Sequence, residues 1–256
     1  MTAKVSWVGT SWKMHKTMAE ARAFAAELGR SPQAVSGAVR PFVVPAFPSI
    51  ATVAGVLTGT RVLVGAQNMH WEDEGAWTGE VSPLMVKDCG AELVELGHSE
   101  RRAFFNETDE TVALKVEAAL RHGLIALICV GDTKAEYEAG ATAEVVARQT
   151  RRALARVGRQ AQGRALIAYE PVWSIGDGGV PASPEFADEQ HRRLKAVAAE
   201  VAGAELPIIY GGSVNQQNCR ELALQPHIDG LFVGRAAWDA RDFIDILNRV
   251  ARALKA

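Results

Sequence analysis

Residues 93–130 read LVELGHSERRAFFNETDETVALKVEAALRHGLIALICV. The stretch opens on an apolar run, Leu93-Val94-Glu95-Leu96-Gly97, and passes through a polar segment. Val112, Val116, Ala119 and Leu120 then recur at helical spacing. Thr108 suits the position before a helix, and Asp109 and Glu110 complement the positive end of its dipole. Gly123 is a helix stop. A second apolar run, Leu124 to Val130, follows at once. Nearly continuous apolar runs joined by a helix are expected of parallel strands buried on both faces.

The same unit repeats in both directions. Further strand-like runs are Val5 to Gly9, Phe42 to Pro45, Val62 to Gly65, Leu166 to Tyr169, Ile208 to Gly211 and Gly230 to Gly234. Helical signals lie between them. Thr17 and Glu20 have capping-box spacing. Ser183-Pro184 reads as a cap followed by proline in the first turn, and Leu194, Val197, Ala198 and Val201 continue on one face. A last helix starts near Arg241 and carries Phe243, Ile246, Leu247 and Val250. Eight strand-then-helix units predict an α/β fold, a closed (β/α)8 barrel forming a single domain over residues 1–256. The alternative is an open doubly wound sheet, but no Gly-x-Gly-x-x-Gly follows the first strand.

Composition narrows the function classes. Against 28 Lys and Arg stand 30 Asp and Glu, a net charge of −2. That balance argues against a nucleic-acid partner. The basic run Arg148 to Gly163 reads as a solvated helix face. No apolar stretch is long enough for a membrane span. Met1-Thr2-Ala3-Lys4 leads straight into a strand and does not read as a signal peptide. Cys89, Cys129 and Cys219 are widely spaced and suit reduced thiols in a cytoplasm.

In a barrel of this kind the chemistry sits at the C-terminal ends of the strands. Thr10-Ser11-Trp12-Lys13 follows the first strand, His98-Ser99-Glu100-Arg101 the fourth, and Glu170-Pro171-Val172-Trp173 the sixth. Gly211-Gly212-Ser213 follows the seventh and Gly234-Arg235-Ala236 the eighth. A carboxylate such as Glu170 can take a proton from the carbon beside a carbonyl. His98 and Lys13 can donate to the oxygens that become negative. A short helix beginning at Ser99 would place its positive end near His98 and keep the imidazole neutral. Glycine-bearing loops near Ser213 and Gly234 let backbone N–H groups approach an anion. Each residue alone has an ordinary structural explanation; the three at one mouth do not. No His, Cys, Asp and Glu cluster shows metal-ligand spacing, so no metal and no cofactor are expected.

Five ordered motifs carry a family resemblance: Trp12-Lys13-Met14; Gly75-Ala76-Trp77-Thr78-Gly79-Glu80; Glu95 to Arg102; Ala168 to Gly176; and Tyr210 to Asn215. Over nearly its whole length the chain resembles triosephosphate isomerase, which is a TIM barrel. The resemblance implies Glu170 as the base, His98 as a neutral electrophile, Lys13 as the cation and Glu100 as a carboxylate ordering that region. This pairing of a glutamate base with a neutral histidine is a known case. Gly176, Ser213, Gly234 and the backbone of Arg235 would hold a phosphate. Pro171, Val172, Trp173, Ser174, Ile175 and Gly176 would begin a mobile lid that excludes water. The loop from Gln67 to Glu80 would enter a second subunit and bring Thr78 to the partner's Lys13 and His98 region, giving a homodimer. Cys129 would be supportive at most.

The chain departs from the family pattern at Ser11, where an asparagine that reaches a substrate oxygen is usual. It departs again at Asp177 to Pro181 in the lid and at Arg235. A smaller Ser11, with a changed Met69-His70-Trp71, would admit one extra hydroxymethyl group. Together with Gln67-Asn68-Met69-His70-Trp71 and Gly234 to Trp238, these features resemble the branch that interconverts L-erythrulose 1-phosphate and D-erythrulose 4-phosphate in erythritol breakdown. The triose substrate is the alternative, and an idle barrel that binds phosphorylated metabolites is a remoter one.

Overall fold

The computed structural model describes residues 6–176 and 178–255. Met1-Thr2-Ala3-Lys4, Val5 and the lid's Asp177 lie outside the described residues. Eight parallel strands close into a barrel in sequence order. They are β1 (Ser6–Ser11), β2 (Val39–Val44), β3 (Leu63–Ala66), β4 (Leu93–Leu96), β5 (Ile125–Val130), β6 (Ala165–Tyr169), β7 (Ile208–Tyr210) and β8 (Gly230–Val233). β1 closes the ring by pairing with β8, Trp7 opposite Gly230. All eight apolar runs of the sequence are strands, and the doubly wound alternative is excluded. β1 runs two residues further than read, so Thr10 and Ser11 belong to the strand.

Strand alternation divides the core into two shells. Trp7, Phe42, Leu93, Leu127, Leu166, Ile209 and Phe232 fill the barrel interior. Val8, Val43, Val94, Ile128, Ile167 and Ile208 face the helices. The helices start where their caps stand. Thr17 accepts from the Glu20 N–H and Glu20 answers to the Thr17 N–H, opening the helix Met18–Gly29. Thr108 caps Asp109–Arg121, with Thr111 rather than the acidic pair closing the box. Ser183 caps Pro184–Ala202. Every strand therefore exits on the same side of the molecule, and the loops there are the ones the sequence singles out.

Candidate active site

β1 ends on Ser11, which shares its facing with Trp7 inside the barrel. Two residues on, Lys13 adopts a left-handed backbone with φ 52°, a conformation that costs a non-glycine residue about 1–3 kcal/mol. Gln67 restrains it: Nε2 donates to the Lys13 carbonyl at 2.9 Å and to the Val44 carbonyl at 3.1 Å. The Lys13 ammonium lies 2.7 Å from Glu100 Oε1. The next residue, Asn68, accepts from Lys115 at 2.8 Å, and Lys115 also contacts Glu107.

At the end of β4, Gly97 turns the chain with φ 77°. His98 then caps the helix Ser99–Phe104, its Nδ1 accepting the Glu100 N–H at 3.2 Å. That bond fixes the tautomer of the neutral ring: Nδ1 accepts, and the proton sits on Nε2. Nε2 lies 3.8 Å from Glu170 Oε1 and 3.9 Å from Glu95 Oε1. Burial disfavours the imidazolium, but the carboxylates of Glu170 and Glu95 outweigh it and shift His98 upward from its usual value. The helix end was expected to keep the imidazole neutral; the two carboxylates act in the opposite direction. Nε2 bears a proton toward the cavity in either form.

Glu170 follows β6, and its N–H donates to the Val130 carbonyl at 2.8 Å. Its side chain is buried against Gly211, where a Cβ would sit 2.8 Å from Glu170 Cγ. Glycine at that position is thus a condition for the carboxylate's placement. Beyond Glu170 the segment expected to form a lid starts with a single 3-10 turn, Val172–Ser174. Trp173 Nε1 donates to Asp132 at 3.1 Å, and its ring stacks on Tyr137 with centroids 4.1 Å apart. Ser174 Oγ accepts the Ser213 N–H at 3.2 Å, which ties the lid to the loop after β7.

Two cavities meet at the centre. One, of about 50 Å³, is lined by Glu170, Ile175, Gly211, Gly212, Val233 and Gly234. The other, of about 200 Å³, is lined by Glu95, Glu100, Gln67, Asn68 and, toward solvent, Met14 and Phe105. Ser11, Lys13 and His98 line both. Of the expected phosphate residues, Gly234 lines the smaller cavity; Gly176 is exposed, Ser213 is half-buried and Arg235 starts a 3-10 turn. Thr78 is exposed, as is most of the loop around it.

Gln67, expected to open a dimer loop, donates to the Lys13 carbonyl of its own chain. Met69 is fully buried in the core, and His70 stacks on Trp71 and Trp77, so Met69-His70-Trp71 does not line the cavities; Gln67 and Asn68 do. Sequence spacing shows no metal-ligand cluster, but the fold assembles one candidate set. Glu95, His98 and Glu170 bring ligand atoms within 4.8 Å of one another. This set of one imidazole and two carboxylates has the chemistry to hold a divalent cation. Sequence spacing could not show the full set, because Glu95 and His98 belong to β4 and the turn after it while Glu170 follows β6.

Glu95 is the functional candidate that sequence reading passed over. It is the one charged side chain buried within a strand among the described residues. It shares its facing with Leu93, toward the barrel interior. Its Oε2 accepts from Ser11 Oγ at 2.8 Å. Burial is the main reason its carboxyl is pushed up to about 7, with Glu170 adding to the shift and His98 opposing it. The available signal was a carboxylate at an inward position of an otherwise apolar strand. Cys129, also inward, is pushed well up by burial and the two carboxylates, and stays a thiol.

An imidazole N–H, an ammonium and a buried carboxylate around a small cavity at a barrel mouth are the parts of a proton-transferring isomerase. The family profile described as triosephosphate isomerase matches residues 6–250. The chain belongs to the triosephosphate isomerase family and is an isomerase. Among its relatives, the L-erythrulose-1-phosphate isomerase of Rhizobium rhizogenes is 53% identical over 250 residues, covering 97% of this chain and 96% of that protein. The protein of the same name from Brucella abortus is 54% identical over 256 residues, 98% of each chain. That of Rhizobium meliloti is 54% identical over 249 residues, 97% of this chain and 98% of the other.

Proposed function

We propose that the chain, working as one domain over residues 1–256, interconverts L-erythrulose 1-phosphate and D-erythrulose 4-phosphate without a cofactor. The observation that carries this reading is the facing of Glu170 and the His98 Nε2–H across 3.8 Å beside Lys13. Glu170 takes the proton from the hydroxyl-bearing carbon next to the carbonyl. The electron pair moves into the carbonyl, and the developing enediolate is stabilised by His98 Nε2–H and the Lys13 ammonium. Glu170 returns the proton to the former carbonyl carbon, while the hydroxyl proton passes between the two oxygens by way of His98. A ketone has then moved by one carbon. Glu100 holds both donors, pairing with Lys13 and giving its N–H to His98. Ser11 and Lys13 face the reacting carbons, and Gly176, Ser213, Gly234 and the Arg235 backbone receive the phosphate. The lid from Pro171 through Val172, Trp173, Ser174, Ile175 and Gly176 closes over it and keeps water from the enediolate.

The names of the relatives above support the four-carbon substrate over the triose. Measured side by side, kcat/KM for L-erythrulose 1-phosphate should exceed that for dihydroxyacetone phosphate by about 10-fold or more; a triose preference would overturn the assignment. The enzyme acts in the cytoplasm as a homodimer. Three free cysteines fit the first, and among the described residues no helix is long and apolar enough to cross a membrane. Exposed Met14, Phe105 and Trp77 and the projecting Thr78 support the second. A sedimentation mass of twice the 27.5 kDa chain checks it; a monomer would contradict it.

A further inference from the structure

We infer that Glu95, together with Ser11, recognises the terminal hydroxymethyl group of the substrate and so sets the four-carbon specificity of the site. The inference rests on the reading above of a tetrulose phosphate. It starts from an expense. An isolated carboxylate buried in a barrel interior is unfavourable unless it is paired or hydrogen-bonded. Leu93, two residues earlier with the same facing, shows what that interior otherwise accepts. Glu95 has Ser11 Oγ at 2.8 Å and His98 Nε2 no closer than 3.9 Å. The Lys13 ammonium is paired with Glu100 instead. Of these groups, one neutral hydroxyl is within hydrogen-bond distance of the carboxylate.

Position says what would compensate it. The cavities overlap only at Ser11, Lys13 and His98, so these three mark the reacting carbons. On one side lie Gly211, Gly212 and Gly234, suited to a phosphate. Glu95 lies on the other side, lining the larger cavity. A three-carbon phosphate spans the phosphate end and the reacting carbons. A four-carbon ketose phosphate extends one hydroxymethyl further, into the space under Glu95. Its O–H donates to the carboxylate, and Ser11, whose Oγ–H donates to Glu95 Oε2, offers its lone pairs to the neighbouring sugar hydroxyl. The inner end of the cavity takes the hydroxymethyl. The outer end, between Met14 and Phe105, is left for the partner subunit's loop.

The test compares two unreactive ligands that differ by that one group. Inhibition constants are measured for erythritol 4-phosphate and glycerol 3-phosphate against wild type, Glu95→Leu, Glu95→Gln and Ser11→Ala. Glu95→Leu should weaken erythritol 4-phosphate by about 10–100-fold and glycerol 3-phosphate by less than about 3-fold. Glu95→Gln, which keeps shape and an acceptor, should fall between wild type and leucine for the four-carbon ligand. Unchanged binding of glycerol 3-phosphate certifies a folded site. Equal weakening of both ligands, or of neither, would overturn the inference. Failure of wild type to turn over L-erythrulose 1-phosphate would instead defeat the proposed function, whatever the inhibition constants show.

Discussion

The two ends of the active site are built from different materials. The end proposed for the phosphate is largely backbone: Gly211, Gly212 and Gly234, with Ile175 and Val233. The opposite end is largely side chain: Glu95, Glu100, Gln67, Arg101 and Phe47. Backbone N–H groups recognise a phosphate whatever carbon chain it carries. Side chains can be exchanged one at a time without disturbing the barrel. The difference implies that binding strength comes mainly from one end and substrate choice from the other, with Ser11, Lys13 and His98 common to both.

The largest effect should come from the shared centre, where the contrast between the ends disappears. Glu170→Gln removes the base and should lower kcat by about 10²–10⁴-fold with any substrate the enzyme accepts. Steady-state kcat with circular dichroism to confirm folding measures this; a retained kcat would remove Glu170 from its role. A smaller loss should follow at the backbone end. Gly211→Ala places a Cβ 2.8 Å from Glu170 Cγ and should displace the carboxylate, costing about 10–100-fold in kcat. Rates equal to wild type would show that the carboxylate is not held from that side.

The smallest effect sharpens the side-chain end. The Glu95 carboxyl is pushed up to about 7 in the fold, so the folded chain holds a proton that the unfolded chain has released. Wild-type stability should therefore fall as pH rises from the ordinary carboxyl range to about 7, then level off. The drop is at most roughly 3 kcal/mol. Glu95→Gln does not titrate, so its urea-unfolding free energy should gain on wild type between pH 5 and pH 8. Parallel curves would mean that Glu95 titrates normally.

How much of this was legible in the sequence follows from where each signal lies. The strands were readable because burial on both faces makes them continuous apolar runs, as in Leu124 to Val130. The caps Thr17, Thr108 and Ser183 announced their helices because a cap is a local bond. Lys13, His98 and Glu170 were readable once the strand ends were known. Glu95 was not, since reading its strand as apolar hid the inward carboxylate. The hold of Gln67 on Lys13 was hidden because its acceptors, the carbonyls of Lys13 and Val44, are tertiary. The gathering of Glu95, His98 and Glu170 is likewise a product of barrel closure rather than of spacing. The upward pull on His98 comes from the same closure.

The central claim is that one carboxylate, Glu170, carries a proton between neighbouring carbons of a phosphorylated ketose. Its most direct test is turnover of L-erythrulose 1-phosphate in heavy water, followed by NMR of the product. Deuterium appearing on the carbon that was the substrate's carbonyl, and lost in Glu170→Gln, is the result expected. Product formed at the wild-type rate by Glu170→Gln, or with the same deuterium content at that carbon, would contradict the account.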